Sequence, residues 1–131
     1  MRILLDTHVL LWALVEPDRL DSDAQEAIQS PANEVLFSAA SIWEIAIKAG
    51  LRRADFLVDP PEIIREAVDA GLTELALRSS AAALVAELPP LHRDPFDRVL
   101  IAQAITEPAF LYTADQRLAP YSELVRQIRT H

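Results

Sequence analysis

Cysteine is absent from the 131 residues. Its absence excludes a disulfide framework and thiolate metal ligands, so any bound metal must rest on oxygen or histidine. Lysine is reduced to one residue, Lys48, and glycine to two, Gly50 and Gly71. Long apolar runs are missing as well. The amino terminus offers only Ile3-Leu4-Leu5 before Asp6, too short for the apolar region of a signal peptide, and the longest run, Val9 to Val15, cannot cross a bilayer. These absences predict a soluble, cytoplasmic protein with no membrane partner.

Positive charge is also scarce, and the formal net charge is −8. Broad, nonspecific adhesion to nucleic acid relies on clustered Lys and Arg on phosphates, so this balance argues against it. The cationic set is almost entirely arginine, whose planar fork suits phosphate. Arg93, Arg98 and Arg117 lie within a few residues of the acids singled out below and are candidate phosphate contacts. The acidic surplus also favours a basic protein partner, because complementary fields speed encounter and suppress wrong pairings.

What is present is a core: 51% of the residues are hydrophobic. A chain of this length can bury roughly two thirds of its unfolded surface in one domain, residues 1–131. Apolar runs bounded by turn signals predict strands at Arg2–Leu5, Glu34–Ser38, Thr73–Leu77 and Phe110–Tyr112. Helical periodicity predicts Thr7–Leu14, Ser22–Ser30, Ala40–Ala49, Glu62–Ala70, Ser79–Leu88 and Pro95–Thr106. Strand alternating with helix means an α/β fold with a mostly parallel sheet. Gly50 and Gly71 sit where helix ends call for a left-handed residue. The nine prolines fall between segments or at helix starts, and no repeat or linker is evident. The tail from Tyr121 reads equally as strand or helix.

Four acids stand out, because a parallel sheet would present Asp6, Glu44, Asp97 and Asp115 at one rim. Ligands of open α/β sheets bind beyond the carboxyl ends of the strands. Each acid also has a plainer reading. Asp6 can cap the helix that begins at Thr7, which taken alone is the better reading. Glu44 can form an exposed pair with Lys48, worth about 0.2–0.5 kcal/mol, yet its helix is otherwise apolar and should be largely buried. In Asp94-Pro95-Phe96-Asp97, Asp94 fits the N-cap and Pro95 the first helical position. Asp97 then has apolar neighbours one turn on, Leu100, Ile101 and Ala104, and a carboxylate turned towards them needs a partner. Asp115 can shape the turn after the last core strand.

Coincidence outweighs the four local readings. Two carboxylates about 5 Å apart repel by roughly 3 kcal/mol at an effective dielectric of about 20, so a fold that gathers four must compensate them. A divalent cation does so most simply, and an all-oxygen set favours Mg²⁺ or Mn²⁺ over zinc. The histidines carry less information. His8 can border the crevice, His92 lies in a loop, and His131 is terminal, with no ligand spacing on one helix. Trp12 and Trp43 sit in apolar helices, where packing in the core or at a subunit interface is the expected role rather than base stacking.

With these residues in view, the chain resembles the VapC-type toxins of the PIN-domain ribonucleases. The resemblance begins at Leu5-Asp6-Thr7-His8-Val9-Leu10-Leu11-Trp12 and continues through Ser41-Ile42-Trp43-Glu44-Ile45. It then takes in His92-Arg93-Asp94-Pro95-Phe96-Asp97-Arg98 with Ile101-Ala102-Gln103-Ala104, and ends at Thr113-Ala114-Asp115. It implies a single three-layer α/β/α sandwich in which Asp6, Glu44, Asp97 and Asp115 hold one or two Mg²⁺ or Mn²⁺ ions. Thr7 and Thr113 match hydroxyls that line such a site, and Asp94 also belongs to the pattern. The implied activity is metal-dependent hydrolysis of single-stranded or structured RNA, transfer RNA included. The implied partners are a VapB-type antitoxin and a second copy of the chain in a homodimer.

Three other readings compete. A phosphoacceptor receiver domain also carries an acidic Mg²⁺ pocket on a parallel sheet, but it pairs adjacent acids after its first strand and places a lysine after its last. Here Asp6 is followed by Thr7-His8, and the lysine is mid-chain. Haloacid-dehalogenase-like phosphatases want a second Asp where His8 stands. A noncatalytic PIN-like interaction domain has no need to keep the quartet.

Overall fold

The computed structural model describes residues 1–51 and 58–131. Among them, β1 (Arg2–Leu5), β2 (Glu34–Ser38), β3 (Thr73–Leu75), β4 (Phe110–Thr113) and β5 (Val125–Gln127) form one sheet in the order β3-β2-β1-β4-β5. Every pairing is parallel. Leu4 of the central strand faces Leu36 on one side and Leu111 on the other. The expected strands are present, β3 being two residues shorter than its apolar run. The tail, open in the sequence, supplies β5.

Side chains alternate across the pleat and so define two apolar faces. Ile3, Leu5, Val35 and Phe37 pack with Val9 and Leu10 of α1 (Thr7–Val15), Ala24 of α2 (Ser22–Gln29), Ile45 of α3 (Ala39–Gly50) and Ile63 of α4 (Pro60–Asp69). Leu4, Leu36 and Leu111 turn the other way, onto Leu100, Ile101 and Ala104 of α6 (Pro95–Thr106). Helices on both faces of a parallel sheet make the expected three-layer sandwich. The short α5 (Ser79–Leu84) ends earlier than predicted and gives way to a 3₁₀ turn, Val85–Glu87. Among the described residues no helix is long and apolar enough to cross a membrane.

The topology creates the crevice. From β1 the chain winds outward through β2 to β3, then returns to lay β4 on the opposite side of β1. Where the winding direction reverses, the connections leaving β1 and β4 diverge, and the gap between them is where such sheets take ligands. The Asp6 N–H donates to the Tyr112 carbonyl at 3.0 Å and ties the two strand ends together just below that gap.

The two glycines behave differently. Gly71, at φ 91°, follows α4 as the left-handed residue of a Schellman turn, with Leu72 N–H on the Ala67 carbonyl and Gly71 N–H on the Val68 carbonyl, both at 3.0 Å. Gly50 does not take the role expected of it: it is the last residue of α3, and the cap falls on Leu51, which is right-handed. A β-carbon at either position would meet nothing within 4 Å. Backbone preference therefore decides both substitutions. Gly71→Ala should lower stability by about 1–2 kcal/mol, whereas Gly50→Ala should raise it by up to about 1 kcal/mol. Urea denaturation of the two variants beside wild type checks both signs.

Candidate active site

Asp6 carries two roles at once. One carboxylate oxygen accepts the Val9 N–H at 2.8 Å and caps α1, while the Thr113 hydroxyl donates to the carboxylate from the end of β4. The residue is only 6% exposed. Capping and membership of an acid cluster are therefore not alternatives here; the cap aims the carboxylate into the crevice.

Glu44 is 4% exposed. Ser38 caps α3 through the Ala40 N–H and sets the helix so that Glu44 points at the end of β1. Its Oε1 accepts the Thr7 hydroxyl at 2.6 Å, and its Oε2 accepts Lys48 Nζ at 2.8 Å. Thr7 Oγ1 also lies 3.0 Å from the Ser41 hydroxyl. The pair with Lys48 exists, but at a buried carboxylate rather than on an open face.

Asp94 caps α6 through the N–H groups of Phe96 and Asp97 at 2.8 and 3.2 Å, with Pro95 at the first helical position. This holds Asp97 in the first turn, where its Oδ2 lies 2.8 Å from His92 Nε2. Asp115 starts the 3₁₀ helix Gln116–Tyr121, its N–H donates to Thr113 Oγ1 at 3.0 Å, and its carboxylate takes a two-pronged ion pair from Arg117.

The acids lie within reach of one another's fields. Burial pushes the Asp6 carboxyl up to about 6, and the fields of Glu44 and Asp115 push the same way against the bonds from Thr113 and Val9. Asp97 is likewise raised to about 6, first by burial and then by Asp94 and Asp6, with His92 opposing. The Arg117 guanidinium holds Asp115 below the usual carboxylate range. Asp6, Glu44, Asp94, Asp97 and Asp115 are thus electrostatically linked around the end of β1, with Thr7 and Thr113 as hydroxyl donors between them.

Two expectations need correction. Arg98 does not offer its fork to a phosphate: Nη1 donates to the Pro89 carbonyl at 2.9 Å and to Tyr121 Oη at 3.2 Å, while Nη2 donates to the carbonyls of Val85 and Leu88. The five-donor guanidinium is the side chain best able to gather several loop carbonyls at once. Trp43 lies outside the core, 57% exposed and against the edge of Phe96 with ring centroids 5.1 Å apart, which corrects the core expectation and leaves the subunit-interface one standing. Trp12 does pack partly against the core, with His8 and Arg19 against its ring. Arg93 is exposed in the loop before α6.

The residue that sequence reasoning passed over is His92. Together with Asp94 and Asp97 it offers ligand atoms all within 4.8 Å of one another. Its spacing of five residues before Asp97 spans a loop and a helix start, so no single-helix pattern marks it.

A parallel α/β/α sandwich with clustered acids at its switch point defines a class, and residues 3–124 match the PIN domain family. The chain belongs to that family, within its VapC-type ribonucleases: it is 34% identical over 116 residues to Ribonuclease VapC22 of Mycobacterium tuberculosis, covering 88% of each chain. Among solved structures it is similar to VapBC2 from Rickettsia felis bound to a promoter DNA fragment, with a TM-score of 0.71 at 15% identity, covering 98% of this chain and 99% of that one. It is also similar to FitAcB from Neisseria gonorrhoeae, with a TM-score of 0.53 at 18% identity over 88% and 89% of the two chains. These two likenesses bear on the fold.

The raised carboxyls give a signed pH dependence. Asp6 titrates near 3.8 when unfolded and about 6 when folded, so the folded state binds the proton more tightly, and stability falls as pH rises from about 4 to about 6. Asn keeps the cap but cannot ionise. Asp6→Asn should therefore match wild type near pH 4 without metal, and exceed it by up to about 3 kcal/mol above pH 6. Paired urea titrations across that range check it; a constant difference between the two proteins would contradict the shift.

Proposed function

We propose that the chain is an endoribonuclease toxin of a toxin–antitoxin pair, working through a divalent cation held by Asp6, Glu44, Asp97 and Asp115. The observation that carries this reading is that His92, Asp94 and Asp97 offer ligand atoms within 4.8 Å of one another, while buried Asp6 and partly buried Asp97 both have carboxyls raised to about 6. A group whose ionised form is disfavoured by burial and like charge is one whose charge a cation would stabilise. The donor set fits a hard ion: carboxylate oxygens throughout, with one imidazole beside them. Mg²⁺ or Mn²⁺ is the cofactor this favours. When bound, such an ion supplies charge neutralisation at the scissile phosphate and activation of a water.

The chain's own residues account for the rest. Thr7 and Thr113 orient the carboxylates of Glu44 and Asp6 by donating to them. Lys48 holds the second oxygen of Glu44, donating to Oε2 at 2.8 Å. Arg117, 67% exposed and forked onto Asp115, sits where it can exchange that carboxylate for a phosphate of the RNA. Arg93, exposed beside Asp94, is the second arginine suited to phosphate. The receiver reading loses its support, since the single lysine is on α3 against Glu44. A noncatalytic role is disfavoured by the retention of all four acids around one crevice.

For the partner, a VapB-type antitoxin agrees with the family and with the net charge of −8. An apolar groove of about 290 Å³ between α1, α2 and the end of α4, lined by Ala13, Leu14, Leu20, Ile28 and Leu72, would take its apolar residues. A basic segment would then reach the acids.

Asp6→Asn and Asp97→Asn should each abolish RNA cleavage while circular dichroism stays that of wild type. Wild-type cleavage by a folded variant would remove that residue from the site. Mg²⁺ or Mn²⁺ should raise the melting temperature of wild type, the native state gaining about 2.7 kcal/mol at a hundredfold excess over Kd, and should raise it less in either variant. Equal shifts would refute a specific site. For the antitoxin, stopped-flow association should slow with salt while dissociation changes little; a salt-independent association rate would rule out the charge-guided encounter.

A further inference from the structure

His92 lies outside the acid quartet, yet its ring meets the Asp97 carboxylate. Its Nε2 is 2.8 Å from Asp97 Oδ2, and its side chain is only 8% exposed. The loop that carries it is fastened from several directions. The His92 N–H donates to Tyr121 Oη at 2.7 Å, and Arg98 gathers the carbonyls of Val85, Leu88 and Pro89 and meets the same Tyr121 hydroxyl. Asp97 is fixed from its own side by its N–H on Asp94 Oδ1. Neither partner of the His92–Asp97 contact is free to drift.

Resting on the assignment of Asp97 as a metal-binding carboxylate, we propose that His92 is a positioning residue that occupies one oxygen of Asp97, leaves it a single oxygen for the cation, and so sets the ion preference of the site. Asp6 is restricted in the same manner, with Oδ1 on the Val9 N–H. Carboxylates that present one oxygen each suit a small octahedral ion that keeps its waters, whereas Ca²⁺ takes more oxygens at longer distance and often both from one carboxylate. Hydrogen bonds to metal-binding carboxylates are commonly worth 10–100-fold in affinity. Releasing Asp97 Oδ2 removes that contribution for Mn²⁺ and opens two-oxygen binding to Ca²⁺.

The test is calorimetric titration of the full chain with Mn²⁺ and with Ca²⁺, each variant first checked by circular dichroism. His92→Leu should bind Mn²⁺ about tenfold or more weakly, with a smaller loss or a gain for Ca²⁺, so that the preference for Mn²⁺ falls. His92→Gln, whose amide can donate at similar reach, should recover most of the affinity and the preference. Unchanged Mn²⁺ affinity and preference in His92→Leu, or no recovery in His92→Gln, overturns the positioning role while leaving the quartet in place. Wild type that fails to bind Mn²⁺ overturns the quartet and this role together. Should His92→Leu not fold, nitrogen-15 spectra of the wild-type imidazole decide instead. Nε2 should carry the proton at neutral pH and its signal should move in Asp97→Asn; an unprotonated Nε2 refutes the donation to Asp97.

Discussion

Carboxylates that a fold draws out of water towards one another cannot all stay ionised unless something answers their charge, and this constraint organises the structure around the end of β1. The chain supplies a donor to each acid: the Thr113 hydroxyl and Val9 N–H to Asp6, Thr7 and Lys48 to Glu44, His92 to Asp97, Arg117 to Asp115. Those donors suffice at the rim, where Arg117 holds Asp115 low. They do not suffice at Asp6 and Asp97, whose carboxyls remain raised to about 6. Asp6 and Asp97 are where the proposed cation would answer the remaining charge.

The same residues serve the scaffold. Asp6, Asp94 and Asp115 each cap a helix, so the backbone groups they satisfy also fix where their remaining oxygens point. Capping places an acid at the amino end of a helix, and in a parallel sheet those ends follow the carboxyl ends of the strands. Capping and the proposed cation site therefore draw on the same rim, where the reversal between β1 and β4 leaves room. A site on strand ends and first helical turns is also more rigid than one on loops. The loop that carries His92 is the exception, and Arg98 compensates by binding its carbonyls.

Much of this was legible because it is local. Strand ends, caps and the spacing of apolar residues gave the parallel sheet, the helix starts and the four acids, and the apolar setting of Glu44 gave its burial. What could not be read depends on contacts between distant segments. Nothing near Arg98 in sequence announces that its fork is filled by the 85–92 loop, and nothing near His92 says that its ring turns onto Asp97. Trp43 lies in a helix apolar enough to be buried all round, yet α3 leaves it on the outside against Phe96. The tail became a strand because β4 offered it an edge, which no local propensity of Val125–Gln127 decides.

The most direct test of the account is a crystal of the full chain grown or soaked with Mn²⁺ and measured at the manganese absorption edge. The account predicts an anomalous peak in the crevice bound by single oxygens of Asp6 and Asp97, with Asp94 still capping α6 and His92 still on the other oxygen of Asp97. A manganese-bound crystal whose peaks lie only elsewhere, with the crevice empty, would contradict it.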